Sequence, residues 1–245
     1  MNQGYLDIHN HILPGVDDGA KTIEDTMELL DMEYKDGVRH IIFTPHYIPR
    51  SDLGKNKEKA EKTRSTFEQI KDECKRSFPD MEFYLGNELY YKSGILQELD
   101  EGRANTLGNS RYILTEFDTN IPYMELKKAV QQYLLKGYDP ILAHVERYQC
   151  LYNRFERMEE IKNMGSMMQM NTENFLEGLF SQNKKICTKA VAEGYIDFLG
   201  TDCHDCTRRK PAMEKAVSYL KKKIDKSTLE TLLYKNPEKL LKEIQ

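Results

Sequence analysis

The sequence lacks several features that would assign the protein to a specialised class. In its 245 residues, no apolar run approaches the roughly 20 residues that a helix needs to cross a bilayer, so membrane insertion is not expected. The first residues, Met1-Asn2-Gln3-Gly4, contain no basic region followed by an apolar stretch, so no secretory signal is expected. The formal net charge of −4 gives no long-range attraction to nucleic acid or to an anionic membrane.

Cysteine is also sparse, with five scattered residues: Cys74, Cys150, Cys187, Cys203 and Cys206. An odd number of cysteines without an export signal favours reduced thiols in a cytoplasmic protein. Cys203 and Cys206 form a CxxC pair, but a redox CxxC normally opens a helix in a thioredoxin-like βαβ pattern, which this loop lacks. A structural zinc site would need a second cysteine or histidine pair. We therefore interpret the CxxC as coincidental.

The chain does contain a regular alternation of strand-like and helix-like segments. The apolar, strand-like runs are 5–8, 38–43, 82–85, 112–115, 140–143, 167–170 and 195–199. Helical periodicity and end signals separate most of these runs, and two further helices, 211–223 and 227–243, close the chain. Such alternation predicts a parallel β/α architecture. Without a glycine-rich dinucleotide loop, an irregular closed barrel fits better than a doubly wound sheet. No linker or repeat divides the sequence, so residues 1–245 are expected to form a single domain.

Side chains that can bind metal follow almost every predicted strand. His9 and His11 come first, and their imidazoles can converge because side chains two apart on an extended strand share a face. The complete set is His9, His11, Asp18, His46, Glu88, Glu116, His144, Asp202 and His204. In a parallel β/α barrel the carboxyl ends of the strands meet at one face, so we expect these side chains to lie together. His40 falls inside a predicted strand and is expected to be structural.

Each of these residues also has an alternative interpretation when it is taken alone. Glu88 could cap the following helix, and Glu116 could pair with Arg111. The Asp17-Asp18-Gly19 step could be an ordinary turn. Taken together, a mixed histidine and carboxylate set without cysteine is typical of catalytic manganese, iron or zinc. Nine ligands exceed the need of one ion, so two or three ions bridged by a carboxylate are expected.

Two arginines near these residues favour an anionic substrate. Arg147 and Arg209 each lie within a few residues of a predicted ligand. Arginine beside a cluster of cations is electrostatically costly unless an anion lies between them, and a planar guanidinium suits bidentate contact with phosphate oxygens. The alternatives are surface solubility or pairing with Glu146 or Asp205.

The motifs occur in a specific order along most of the chain: Asp7-x-His9-x-His11, Asp17-Asp18-Gly19, Thr44-Pro45-His46, Glu88, Leu114-Thr115-Glu116-Phe117, His144-Val145-Glu146-Arg147-Tyr148 and Asp202-x-His204. This series resembles the PHP (polymerase and histidinol phosphatase) superfamily. Within that superfamily it is most similar to the bacterial manganese-dependent protein-tyrosine phosphatases of capsule and exopolysaccharide synthesis. The departures are small, with Val145 where proline is frequent and Asp205 where asparagine is frequent.

The resemblance implies a distorted (β/α)7, TIM-like barrel with a trinuclear manganese site. In the implied assignment, one ion is held by His9, His11, Glu88 and Asp202, a second by Glu88, Glu116 and His144, and a third by Asp18, His46 and His204. The implied reaction is phosphotyrosine hydrolysis by a metal-bridging hydroxide, with Arg147, Arg209, Asp202 and His204 as the catalytic residues. The implied protein substrate is the phosphorylated tyrosine tail of a cytoplasmic tyrosine autokinase.

Other functions are compatible with parts of the pattern. A small-molecule phosphatase, such as histidinol-phosphate phosphatase, could use the same metal-binding rim. A polymerase-associated exonuclease is disfavoured because the chain stands alone and lacks a strongly basic balance. A scaffold that has lost catalysis is disfavoured by the complete ligand set and both arginines. The basic stretch 50–64 follows His46, so it either lies beside the site, near an acidic phosphorylated tail, or forms a solvated helix face.

Overall fold

The computed structural model describes residues 4–178 and 180–244 as an α/β fold. Residues 1–3, on which the expectation of no secretory signal partly rests, lie outside the described residues. The strands are β1 (Tyr5–Asp7), β2 (Val38–Phe43), β3 (His46–Tyr47), β4 (Glu82–Leu85), β5 (Glu88–Tyr90), β6 (Tyr112–Glu116), β7 (Asp139–Leu142), β8 (Met167–Asn171) and β9 (Phe198–Gly200). The helices are α1 (Ile23–Lys35), α2 (Leu53–Ser77), α3 (Ile95–Asp100), α4 (Tyr123–Leu135), α5 (Phe155–Asn163), α6 (Gln182–Ala192), α7 (Met213–Leu220), α8 (Lys226–Glu230) and α9 (Asn236–Leu241).

The pairings between these strands are all parallel, which confirms the predicted β/α architecture at this level. One sheet has the order β1-β2-β4, and the other has the order β3-β5-β6-β7-β8-β9. Two segments of the chain contribute one strand to each sheet. β3 follows β2 after Thr44-Pro45, and β5 follows β4 after Gly86-Asn87. The neighbours β2 and β4 are therefore continued by the neighbours β3 and β5.

Backbone hydrogen bonds also join the segments that follow the first and last strands. Asn10 and Cys203 form an isolated parallel bridge. The amide of His11 donates to the carbonyl of Cys203 at 2.9 Å, and the amide of Asp202 donates to the carbonyl of His9 at 2.7 Å. These contacts bring the carboxyl ends of β1 and β9 together, although the two strands lie at opposite ends of the sequence.

Apolar side chains cover both faces of the parallel sheets. On β6 and β7, Leu114 and Ile141 belong to one buried cluster, whereas the adjacent residues Ile113 and Leu142 belong to the other. This alternation follows from the two-residue period of a strand. Because parallel strands are buried on both faces, they read as nearly continuous apolar runs, which explains why the sequence predicted them.

The C-terminal region differs from the single helix predicted over 227–243. It consists of α8, a π-helical segment Thr231–Lys235, and α9. Pro237 lies in the first turn of α9, where its missing N–H is tolerated. Because proline has no N–H to donate, the i to i−4 hydrogen bonds of the preceding turn cannot continue through it. Within the described part of the chain, no helix is both long and apolar enough to cross a membrane.

Candidate metal centre

The nine residues predicted as ligands are brought together by the ends of the strands and the loops that follow them. Their ligand atoms form overlapping groups, within each of which all atoms lie within 4.8 Å of one another. The groups are His9 with His11 and Asp202; His9 with Glu88 and His144; His46 with Glu88 and Glu116; and His11 with Asp18, His46 and His204. Shared members join the groups into one continuous cluster, to which no cysteine contributes.

Glu88 occupies the centre of this cluster. Its Oε1 lies 2.9 Å from His144 Nε2 and 3.2 Å from His9 Nε2. Its Oε2 lies 2.8 Å from His46 Nδ1 and 3.4 Å from His11 Nε2. Burial alone would raise the pKa of Glu88, but the surrounding imidazoles hold that pKa well below its usual range. The carboxylate, only 1% exposed, therefore faces four histidines rather than a helix terminus.

The outer part of the cluster is more open to solvent. Glu116 Oε1 lies 3.4 Å from His144 Nε2, whereas Arg111 pairs with Asp139 at 3.1 Å. Asp18 Oδ1 lies 3.5 Å from His204 Nε2, and the Asp18 side chain is 62% exposed. Substrate can therefore approach the cluster from the Asp18 edge.

The orientation of the deepest imidazoles fits metal coordination. His9 Nδ1 donates to Gln169 Oε1 at 2.9 Å, and His11 Nδ1 donates to Asp17 Oδ2 at 2.7 Å. The Nε2 atoms of both rings are buried and have no hydrogen-bond partner within residues 4–178 and 180–244. An acceptor on one ring nitrogen fixes the tautomer that leaves a lone pair on the other, as in metal-bound histidine. The two rings thus direct their Nε2 atoms into the cluster, where a cation can bind them.

The protonation states of His204 and His144 also indicate that the cluster binds cations. Burial, together with the nearby His11, lowers the pKa of His204 to about 4, so its Nε2 is an available ligand near neutral pH. Burial would lower the pKa of His144 as well, but its hydrogen bonds with Glu116 and Glu88 raise it to about 10. Without metal ions, the excess of carboxylates draws a proton onto His144. The donor set therefore fits divalent cations, which would supply the positive charge instead.

The backbone is strained at two of the predicted ligands. His144 has φ 31° and Asp202 has φ 51°, and such left-handed conformations cost non-glycine residues on the order of 1–3 kcal/mol. Strain of this kind persists where surrounding contacts fix the conformation, and it is concentrated at functional sites. Close packing adds a further constraint, because a Cβ on Gly19 would lie 1.9 Å from the carbonyl oxygen of His11.

The sequence did not identify the residues that orient the ligands. Gln169 Oε1, which accepts from His9, also accepts from the amide of His144 at 2.8 Å. Gln169 Nε2 donates to Asn171 Oδ1 at 2.9 Å, and Asn171 Nδ2 donates to Asp202 Oδ2 at 2.7 Å. The available signal was the pair of amides two residues apart on the otherwise apolar strand β8. Asp17 was predicted only as part of the Asp17-Asp18-Gly19 step and not as an orienting residue, although it accepts from His11 and from the amide of His46 at 3.0 Å.

The two predicted arginines both reach Asp202. Arg147 Nη2 lies 2.7 Å from Asp202 Oδ2, and Arg209 Nη2 lies 2.8 Å from Asp202 Oδ1. Their side chains are 34% and 37% exposed, respectively. Among the described residues, neither guanidinium pairs with Glu146 or Asp205. The arginines are therefore fixed at the edge of the cluster while retaining donors that a solvent-borne anion can reach.

Cys203 is excluded as a nucleophile by its surroundings. The spacing from Cys203 to Arg209 matches a Cys-x5-Arg phosphate loop, in which a thiolate attacks phosphorus. However, the thiol is completely buried, with Sγ 3.7 Å from Glu33 Oε1. Burial, together with the charges of Glu33 and Asp7, raises the pKa of Cys203 well above its usual range. A reactive cysteine needs the opposite, namely a lowered pKa and access to solvent.

A model of the capsular polysaccharide synthesis family CpsB/CapC matches residues 5–242. The chain belongs to the CpsB/CapC family. Among its relatives, the tyrosine-protein phosphatase CpsB of Streptococcus agalactiae is 32% identical and aligns over 97% of this chain and 98% of that protein. The tyrosine-protein phosphatase YwqE of Bacillus subtilis is 29% identical over 97% of this chain and 91% of its own length.

Structural similarity agrees with this assignment. A chain from the crystal structures of YwqE from B. subtilis and CpsB from Streptococcus pneumoniae, described as unique metal-dependent tyrosine phosphatases, superposes with a TM-score of 0.80 at 25% identity. The match covers 98% of this CpsB/CapC family member and 95% of that chain. The family resemblance predicted from the ordered motifs is therefore confirmed.

Proposed function

We propose that this protein is a metal-dependent tyrosine-protein phosphatase. The observation that carries the proposal is the buried Glu88 carboxylate among four imidazoles, with Arg147 and Arg209 held at the edge of the same cluster. The relatives CpsB and YwqE are named tyrosine-protein phosphatases, and their crystal structures are described as metal-dependent. The names of these relatives do not support the alternative function, that of a small-molecule phosphatase.

The proposed metal is manganese, with two or three ions per chain. His9, His11, Glu88 and Asp202 would hold one ion, Glu88, Glu116 and His144 a second, and Asp18, His46 and His204 a third. The overlapping groups of ligand atoms support this division, and Glu88 would bridge because both of its oxygens face imidazoles. When bound, the cations would supply Lewis acidity that makes a water-derived nucleophile available near neutral pH.

The remaining chemistry is assigned to side chains at the edge of the cluster. Arg147 and Arg209 would bind the non-bridging oxygens of the phosphoryl group and stabilise its charge during transfer. Asp202 fixes both guanidiniums through its two oxygens, so that they are oriented before substrate arrives. Asn171 in turn holds Asp202. His204, held by the carbonyl of Asp202 at 2.9 Å, would orient the reacting groups as a neutral imidazole.

We further propose that the chain is a single domain with a (β/α)7 barrel. When β3 is taken as the continuation of β2, and β5 as the continuation of β4, the strands form seven continuous units. This number and the Asn10–Cys203 bridge support closure of the barrel. The proposed protein substrate is the phosphorylated tyrosine tail of a cytoplasmic autokinase that acts in capsule or exopolysaccharide synthesis. The description of the family supports this role, and cytoplasmic localisation is part of the proposal.

A substrate panel tests the proposed function. The manganese-loaded protein would be assayed with a phosphotyrosyl peptide, the same peptide carrying phosphoserine, and histidinol phosphate. We expect the highest kcat/KM for the phosphotyrosyl peptide. Preferential hydrolysis of histidinol phosphate would contradict the proposal in favour of a small-molecule phosphatase.

A further inference from the structure

A cavity of about 500 Å³ lies directly beside the metal centre. The predicted ligands Asp18 and His46 line it, and so do Ile48, Arg50 and Lys59. The last three residues lie on the segment after β3 and in the first turns of α2. A substrate whose phosphate reaches the metal centre would therefore extend its neighbouring atoms into this cavity.

Two cationic side chains, Arg50 and Lys59, line the cavity. Among the described residues, Arg50 and Lys59 form no ion pair with a carboxylate. The neighbouring lysines of α2 do, since Lys55 pairs with Asp52 at 3.9 Å and Lys57 pairs with Glu61 at 3.8 Å. Arg50 and Lys59 can therefore bind an anion that enters the cavity.

Local contacts hold the backbone of Arg50 and the ammonium of Lys59. Asn56 is buried and clamps the backbone of Arg50, accepting from its amide at 3.0 Å and donating to its carbonyl at 3.0 Å. Lys59 Nζ donates to the carbonyl oxygen of Val16, in the loop that carries Asp18. Burial lowers the pKa of Lys59, which an anion beside it would offset. The chain segments that carry the two cations are therefore anchored beside the cavity.

One apolar side chain shares the cavity with these cations. Ile48 lies two residues after His46 and is 51% exposed, while lining the same cavity. The cavity beside the metal centre thus combines metal ligands, an aliphatic side chain and two cations. A phosphotyrosyl residue with acidic neighbours has the matching groups, namely a phosphate, a ring and carboxylates.

We infer that this cavity binds acidic residues adjacent to the phosphotyrosine of a peptide substrate, an inference that rests on the proposed phosphatase function. Arg50 and Lys59 contact the peptide carboxylates, and Ile48 contacts the apolar atoms between them and the phosphate. The carboxylates of Asp17 and Asp18 also line the cavity, but they face His11, His46 and His204. These carboxylates therefore lie beside imidazoles of the metal centre.

Three phosphotyrosyl peptides that differ only in their flanking residues test this inference. One carries Glu and Asp, the second carries Gln and Asn, and the third carries Lys. The protein, loaded with manganese, is compared with the double variant Arg50→Glu/Lys59→Glu and with Lys55→Glu/Lys57→Glu, which makes the same charge change at exposed positions of α2 that do not line the cavity. Hydrolysis of free phosphotyrosine by each variant reports the state of its metal centre, and each peptide kcat/KM is expressed relative to that value.

For the unsubstituted protein we expect the acidic peptide to exceed the neutral one by about fivefold to tenfold, with the preference shrinking at high salt. Arg50→Glu/Lys59→Glu should lose this preference and favour the basic peptide, whereas Lys55→Glu/Lys57→Glu should retain it. Equal hydrolysis of all three peptides, or an unchanged preference in Arg50→Glu/Lys59→Glu, would overturn the inference while leaving the proposed function standing. No hydrolysis of any peptide or of free phosphotyrosine would overturn both.

Discussion

Arg147 donates to Asp202 across 2.7 Å, which places a guanidinium against a predicted metal ligand. Arg209 occupies the other oxygen of the same carboxylate. One buried aspartate therefore holds both cations in place before any phosphate is bound. Donors that are already oriented cost little reorganisation at the moment of reaction, which is the main advantage of a preorganised site.

This relationship predicts that Arg147→Ala lowers kcat/KM for a phosphotyrosyl peptide by about 100-fold, the loss typical for one donor to a developing charge. Metal content should be unchanged, because the side chain is not a predicted ligand. Steady-state kinetics and metal analysis of the same preparation measure both. Arg154→Ala, which removes an exposed arginine outside the cluster, is the control. Unchanged turnover in Arg147→Ala would contradict the assigned role.

Glu88→Gln should reduce the number of manganese ions bound per chain, since it removes the negative charge that faces four imidazoles while keeping the size of the side chain. Activity should fall with the metal content. Metal analysis after gel filtration measures the stoichiometry, and Glu58→Gln, an exposed position on α2, serves as the matched control. Full metal occupancy in the Glu88 variant would exclude a bridging role.

Gln169→Leu should weaken manganese binding by about 10- to 100-fold, the usual effect of losing a group that orients a ligand. The substitution removes the acceptor of His9 and of the amide of His144. Titration of the metal-depleted protein with manganese measures the change, and excess metal should restore much of the activity. Gln149→Leu, at an exposed position, should bind manganese normally. Normal binding in Gln169→Leu would show that the amide has no positioning role.

Glu33→Gln should stabilise the protein increasingly as the pH rises. Glu33 is completely buried, and burial together with the charge of Asp7 raises its pKa well above the ordinary value of 4.5. Above that value the unfolded chain releases a proton that the folded protein still holds, so stability falls with increasing pH. Glutamine carries no such proton.

Thermal unfolding between about pH 5 and about pH 8, a range above the ordinary pKa of a glutamate, measures this effect. The Tm of Glu33→Gln relative to the unsubstituted protein should increase across the range, whereas exposed Glu68→Gln should give a constant difference. A Tm difference for Glu33→Gln that is independent of pH would show that Glu33 does not retain its proton on folding.

The fold could be read largely from local patterns. Each of the seven strand-like runs overlaps a strand of the structure, because a buried parallel strand is marked by its own apolar residues. The short strands β3 and β5 were not predicted. Each has only two or three residues and follows a Thr44-Pro45 or Gly86-Asn87 step, so neither shows a recognisable period. Their pairing depends on the position of neighbouring strands rather than on local sequence.

Within the candidate site, the sequence predicted which residues meet but not how they are oriented. The ligand set follows from the convergence of parallel strand ends, a general property of the architecture. The contact between Gln169 and His9 and the pairing of both arginines with Asp202 join distant segments whose register the sequence does not specify. The cavity beside α2 could not be predicted either, because its shape depends on packing between that helix and the loop at Val16.

The central claim is that the cluster around Glu88 is a metal centre that hydrolyses phosphotyrosine. The most direct measurement is hydrolysis of a phosphotyrosyl peptide by the protein after removal of metal with a chelator, followed by addition of manganese. Activity should disappear with chelation and return with manganese, in parallel with the amount of metal bound. Full activity in the presence of the chelator, with no metal bound, would contradict the account.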